Sequence, residues 1–195
     1  MEHIYHNIQG FFNFEKLYDD MIEKLSDNSI FVEVGVWKGK SISYAVVESI
    51  NKNKNIKFYA VDTFIGSPGE PQIMENNSIK DNTLYEEYLS NIKPIKDHIT
   101  TYKKHSVQAA KLFKDNSVDF VFIDASHKYE NVKKDLLAWL PKIKKSGFIG
   151  GHDYASPPDH PDHGVYIAVN EIFGKDNIKV YDNIGWDSWL YEVKL

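Results

Sequence analysis

Three short apolar runs, each ending at a glycine or an aspartate, constrain this chain more than any other feature. They are Ser29-Ile30-Phe31-Val32-Glu33-Val34 before Gly35, Ile56-Lys57-Phe58-Tyr59-Ala60-Val61 before Asp62, and Val118-Asp119-Phe120-Val121-Phe122-Ile123 before Asp124. Each is rich in β-branched and aromatic residues and too short for an ordinary helix. Near-continuous apolar character predicts parallel strands covered on both faces.

Segments with helical spacing fall between the runs. Leu17 to Leu25 has apolar residues at 17, 21, 22 and 25, and Ser41 to Ile50 places Ile42, Ala45, Val46 and Ile50 together. Asn131 to Ile143 groups Val132, Leu136, Trp139 and Leu140, with Pro141 distorting its last turn and Gly147 ending it. Phe148-Ile149-Gly150-Gly151 then reads as a buried strand and Val165 to Phe173 as a helix closed by Gly174. Ile99-Thr100-Thr101-Tyr102 is a further strand. Ile178-Lys179-Val180-Tyr181 and Trp189 to Val193 form a last pair, separated by a turn at Asp182-Asn183-Ile184-Gly185.

This alternation predicts an α/β fold: a doubly wound, Rossmann-like, mostly parallel sheet with helices on both faces and a C-terminal antiparallel hairpin. A chain of 195 residues holds one such domain, 1–195, and not two. Residues 64–98 interrupt the pattern with a loop from Phe64 to Pro71 and a helix near Leu84 to Ile92. This insertion is either a lid over a substrate or a surface crossover.

The absence of cysteine excludes thiolate metal sites, cysteine nucleophiles and disulfides. With 23 Lys+Arg against 28 Asp+Glu the net charge is −5, which disfavours a nucleic-acid partner and favours a small-molecule substrate. The lysines of 51–54 and 142–145 fall where helices should end, as capping and solvated residues do. No apolar run is long enough to cross a bilayer, so no membrane association is expected. With no secretory leader pattern, a cytoplasmic location is expected, and a homo-oligomer is compatible with the sequence.

The first strand empties into Glu33-Val34-Gly35-Val36-Trp37-Lys38-Gly39-Lys40-Ser41. Glycines at 35 and 39 permit a tight turn and close approach, and the helix that follows offers free N–H groups. A phosphate loop would need glycine where Val34 stands, and a dinucleotide loop would need three glycines where two are present. Glu33 would meet a pyrophosphate badly but could pair with the amino group of a zwitterionic cofactor. Asp62 could accept both hydroxyl hydrogens of a ribose, or cap a turn.

Glu33 to Gly39 resembles motif I of the class I S-adenosylmethionine-dependent methyltransferases. Ile123-Asp124-Ala125-Ser126-His127-Lys128-Tyr129-Glu130, Asp135 to Trp139 and Gly147 to Tyr154 resemble one subgroup, which includes the metal-dependent, macrocin-type O-methyltransferases of macrolide sugars. The resemblance runs from about residue 29 to 173. It implies that Glu33, Gly35, Gly39 and Ser41 surround the methionine portion of S-adenosylmethionine. Asp62 and Thr63 would then take its ribose, with Ser106 near the adenine and Asp124 close to the reacting end.

Asp124, His152 and Asp153 each end or follow a strand on one sheet edge and are expected to converge. The subgroup holds Mg2+ on an acid after the fourth strand and two acids after the fifth. Asp124 and Asp153 match, while His152 replaces an acid and admits Mn2+, Zn2+ or no metal. Methyl transfer to a small-molecule hydroxyl would use Asp124, with His127 or His152 taking the proton. His127 could instead orient Asp124 or pin its loop. Tyr129 and Trp139 read as packing residues, and His160 and His163 as a loop pair. The competing functions are an antibiotic hydroxylase-like enzyme, an NAD-dependent oxidoreductase, and a non-catalytic cofactor-binding or interaction domain.

Overall fold

The computed structural model describes residues 1–67, 71–155, 157–183 and 186–194. Seven strands form one sheet: β1 (Ile30–Val34), β2 (Lys57–Asp62), β3 (Ile99–Lys103), β4 (Val118–Ile123), β5 (Ile143–Gly151), β6 (Lys179–Tyr181) and β7 (Ser188–Glu192). Their spatial order is β3-β2-β1-β4-β5-β7-β6. The first five pair in parallel, while β7 runs antiparallel to both β5 and β6. The doubly wound sheet and its terminal antiparallel pair are therefore as expected. Residues 184 and 185 of the anticipated turn lie outside the described residues.

The helices are α1 (Glu15–Lys24), α2 (Lys40–Asn51), α3 (Pro71–Met74), α4 (Asn77–Lys80), α5 (Leu84–Asn91), α6 (Ser106–Ala110), α7 (Tyr129–Trp139) and α8 (His163–Phe173). Side chains alternate across each strand, so Phe31, Phe58, Phe120 and Phe122 face a core shared with α1 and α2. Val32, Val34, Val121 and Ile123 face the opposite core, with α6, α7 and α8. Glu33 is on the same side of β1 as Phe31, and this placement buries it completely.

One segment differs from expectation. Residues 143–147 begin β5 rather than ending a helix, because α7 stops at Trp139 and a 3-10 turn at Leu140–Lys142 carries Pro141. Ile143 points inward while Lys144 reaches Asp119 at 2.8 Å, so a strand accommodates both. The other lysine cluster does cap a helix. Lys54 Nζ donates to the carbonyls of Ile22, Glu23 and Leu25 at the end of α1, at 2.7, 2.5 and 2.8 Å. No helix among the described residues is long and apolar enough to cross a membrane.

Candidate active site at the strand tips

Strand order reverses between β1 and β4, and doubly wound sheets place ligands outside the strand ends at such a point. Gly35 and Asp124 occupy those two tips. Asp124 N donates to the Val34 carbonyl at 2.8 Å, and Gly35 N to that of Val61 at 2.8 Å. Gly35 has φ +89°, and a Cβ there would stand 1.9 Å from the Asp124 carbonyl oxygen. The close approach that demands glycine is thus made by the neighbouring strand tip. Gly39, at φ +86°, is pressed by the insertion instead, since its Cβ would meet Ile92 at 2.9 Å and the Tyr88 ring at 3.1 Å.

The insertion is fastened to this loop by polar contacts as well. Lys38 is 3% exposed, pairs with Glu87 at 2.8 Å and donates to Gln9 at 2.6 Å. Asn91 donates to the Lys38 carbonyl at 3.0 Å. Together with Glu75, Asn76, Asn77 and Ser78, the side chains of Gln9, Lys38 and Glu87 line a polar cavity of about 440 Å3.

Asp62 ties two loops together. Its Oδ2 accepts from Trp37 N at 2.8 Å and its Oδ1 from Phe64 N at 2.7 Å. Burial pushes its carboxyl up, opposed by these backbone donors. Enclosed on most sides, it still keeps part of its surface accessible, as does Thr63. The backbone N–H groups of Val36 and Thr63 also act on it and favour the carboxylate. Trp37 and Phe64 both have positive φ, 45° and 58°, a cost tolerated where loops must be shaped.

Glu33 has a different environment. Ser41 donates to its Oε1 at 2.5 Å, while Oε2 has no hydrogen-bond partner among the described residues. Burial pushes the Glu33 carboxyl up to about 8; the hydroxyls of Ser41 and Tyr18 oppose this, and the charges of Asp124 and Asp62 add to it. The Tyr18 hydroxyl from α1 is near enough to act on that charge but stops short of hydrogen-bond geometry.

Ser106 accepts from Trp139 Nε1 at 2.9 Å and lies beside Asp135. Burial pushes Asp135 up to about 6. Trp139 is fully buried, as a packing residue should be.

The three residues expected to converge do so. His152 Nδ1 lies 3.2 Å from Asp153 Oδ1 and 4.0 Å from Asp124 Oδ1. Asp124, His127, His152 and Asp153 line a space of about 10 Å3, roughly that of one water. Burial lowers His152, but the Asp153 hydrogen bond and the charges of Asp124 and Asp153 outweigh it and hold the imidazole above its usual range. Burial would raise Asp153, yet His127 and His152 hold it well below the usual carboxylate range.

His127 joins this group through Asp153. Its Nε2 is 2.9 Å from Asp153 Oδ2 and its Nδ1 is 2.6 Å from Asp162 Oδ1. His160 is 3.6 Å from Asp162, whereas His163 bonds the Ala155 carbonyl at 3.1 Å. Asp162 and Asn13, which bonds His152 at 2.8 Å, are the site residues that sequence reasoning missed. Neither stands at a spacing that links it to its partner.

A family model described as a methyltransferase domain matches residues 32–154, more than half of the chain. The chain belongs to this methyltransferase family. Its fold is that of the class I S-adenosylmethionine-dependent methyltransferases. It is similar to the uncharacterized protein R132 of Acanthamoeba polyphaga mimivirus, 27% identical over 146 residues, which cover 75% of this chain and 60% of that protein. The chain therefore spans less than two thirds of that relative.

Among solved structures it superposes on an rRNA methylase from Streptococcus thermophilus (TM-score 0.62, 13% identity, 96% of this chain and 99% of that one). A putative methyltransferase from Streptococcus mutans in complex with SAH gives 0.61 at 11% identity, covering 94% and 99%. The O-methyltransferase NovP gives 0.64 at 16% identity, covering 94% and 78%. At these identities the likeness is one of fold.

Proposed function

We propose that this methyltransferase acts on a hydroxyl of a small molecule, with a divalent cation held by Asp124, His152 and Asp153. The observation that carries the reading is the meeting of these three side chains around a water-sized space, beside the Gly35 turn. Two carboxylates and an imidazole suit Mg2+, Mn2+ or Zn2+.

The strand tips also fit the cofactor. The unpartnered buried Oε2 of Glu33 suits the ammonium of the methionine portion, with Ser41 holding the other oxygen. Asp62, partly accessible at the tip of β2, suits the ribose hydroxyls, with Thr63 beside it. The wrapping of Ser106 by Trp139 makes it a support for the adenine side rather than a direct donor.

S-adenosylmethionine supplies a methyl group activated on a sulfonium, and a divalent cation supplies Lewis acidity that lowers the pKa of the accepting hydroxyl. Asp124, His152 and Asp153 orient the acceptor oxygen. His127, bound at Nε2 by Asp153 and at Nδ1 by Asp162, holds the Asp153 carboxylate in place, and the hydroxyl proton passes to water. The polar cavity under residues 75–87 has a volume within the roughly 300–1,000 Å3 of small-molecule sites, and its mixed amide, hydroxyl and charged lining suits a hydroxylated acceptor.

A screen of hydroxylated acceptors with methyl-labelled S-adenosylmethionine tests the proposal. Transfer to oxygen that disappears with a chelator and returns with Mn2+ or Mg2+ is expected. Transfer that proceeds unchanged in chelator contradicts the cation role, and labelling of nitrogen or carbon contradicts the acceptor class.

A further inference from the structure

We propose that the segment before α1 forms one wall of the acceptor site, with Phe11 packing on the acceptor, and that this acceptor is a phenol carrying a hydrogen-bonding tail. The inference rests on the hydroxyl-acceptor reading above and narrows it.

Exposure alternates along this segment. Ile8 and Phe14 are buried and Phe12 is half-buried, while Gln9, Phe11 and Asn13 are exposed. A period of two belongs to extended chain, whose successive side chains point to opposite faces. The inner face packs on the protein. The Phe12 ring meets those of Phe14 at 4.8 Å and Tyr44 at 5.0 Å, and a Cβ on Gly10 would stand 3.4 Å from Trp37 and 3.5 Å from Lys40. The outer face is fastened at both ends. Gln9 Oε1 accepts from Lys38 Nζ at 2.6 Å, and Gln9 lines the polar cavity. Asn13 meets His152 at 2.8 Å and the Asn183 carbonyl at 3.1 Å. The segment therefore runs from the polar cavity to the cation site, a span of at most about 13 Å at roughly 3.3 Å per residue.

Phe11 stands between these ends on the same face. At 76% exposure it is the most exposed large apolar side chain among the described residues. A ring left in water between two polar sites gains stabilisation when an apolar surface covers it. A second exposed ring stands on the other side of the cation site. Trp186, 49% exposed, is 6.3 Å from His160, itself 3.6 Å from Asp162. Two aromatic rings at this rim suit an acceptor with a flat apolar body, packed offset or edge-on. Both nitrogens of His127 are engaged, which favours a hydroxyl acidic in itself. A phenol ionises at about pH 10, as tyrosine does, whereas an alcohol resembles water at about 15.7. The tail reaches the cavity lined by Asn76, Asn77 and Ser78. Lys38 is already paired there with Glu87 at 2.8 Å, so a neutral amide or hydroxyl suits the cavity better than another carboxylate.

Three probes test the inference on the full chain: N-acetyltyramine, a phenol with an amide tail; para-ethylphenol, the same ring without the tail; and ethylcyclohexanol, its aliphatic counterpart. Calorimetry in the presence of S-adenosylhomocysteine and Mg2+ reads binding without turnover, and labelled S-adenosylmethionine reads methyl transfer. Wild type should bind N-acetyltyramine best and ethylcyclohexanol least. Phe11→Ala should weaken N-acetyltyramine about 10-fold, as loss of a covered ring implies, and Phe11→Tyr should restore it. Gln9→Ala should weaken N-acetyltyramine and leave para-ethylphenol unchanged. Because both side chains are exposed, these variants should unfold at the wild-type temperature. Equal N-acetyltyramine affinity in wild type and Phe11→Ala, or no binding of either phenol, would overturn the inference. Transfer to an aliphatic hydroxyl that Phe11→Ala leaves unchanged would also overturn it, while upholding the hydroxyl-acceptor reading. Phe11-dependent binding of N-acetyltyramine without methyl transfer to its oxygen would uphold the wall and remove that reading.

Discussion

Asp162 Oδ1 lies 2.6 Å from His127 Nδ1 and joins the residue just before α8 to the loop that follows β4. Asp162 is 8% exposed, so this contact is largely shielded from solvent. Through His127, whose other nitrogen meets Asp153 at 2.9 Å, Asp162 fixes the Asp153 carboxylate. Asp162→Asn should lower kcat roughly 10- to 100-fold, as loss of a partner that orients a cation-site residue does. Steady-state kinetics should show the KM for S-adenosylmethionine nearly unchanged. An unchanged kcat would show that Asp153 keeps its place without Asp162.

Glu33 gives the cofactor site a proton-linked signature. Its carboxyl is pushed up to about 8, so at pH 7 the free protein holds it mostly protonated. Pairing with an ammonium requires the carboxylate, so binding should release close to one proton at pH 6.5–7, and less as pH passes 8. Calorimetry in buffers of different ionisation enthalpy counts that proton. Glu33→Gln should abolish the release and weaken binding.

The linkage at Asp135 runs in the destabilising direction. Its folded value of about 6 lies above the ordinary 3.8. The folded state therefore holds the proton more tightly, and this contribution is complete below pH 3.8 and lost as pH rises through 6. The two-unit shift corresponds to about 3 kcal/mol as an upper bound. Asp135→Asn should raise the thermal midpoint at pH 7.5 relative to wild type, with the gap closing toward pH 4. A midpoint gap that widens in acid would contradict this.

Gly35 admits no side chain. Gly35→Ala would combine a strained positive φ with a Cβ 1.9 Å from the Asp124 carbonyl oxygen. Separation of β1 from β4 at their tips should cost more than about 3 kcal/mol. Denaturant unfolding would measure the loss. A variant as stable as wild type would show that the turn rearranges freely.

The strands β1, β2 and β4 were legible because each is a short apolar run with a sharp end. The early half of β5 was not, since Lys144 and Lys145 beside Pro141 read equally well as a helix end. Its identity depends on pairing with β4 and on the contact between Lys144 and Asp119, neither of which is local. At the site, Asp124, His152 and Asp153 could be gathered because strand ends in a parallel sheet share an edge. Asp162 and Asn13 could not, because their contacts with His127 and His152 cross 35 and 139 residues of chain. The two motif I glycines were recognised as necessary, but what presses on them is Asp124 and the insertion, which only packing reveals.

The most direct test of the account is calorimetric titration of the protein with S-adenosylmethionine, alongside its Asp62→Ala variant. The account predicts saturable one-site binding in the wild type, about 10-fold or more weaker in Asp62→Ala, as loss of charge-assisted hydrogen bonds implies, with both proteins folded. Equal affinity in the two proteins, or saturable binding of NAD with none of S-adenosylmethionine, would contradict it.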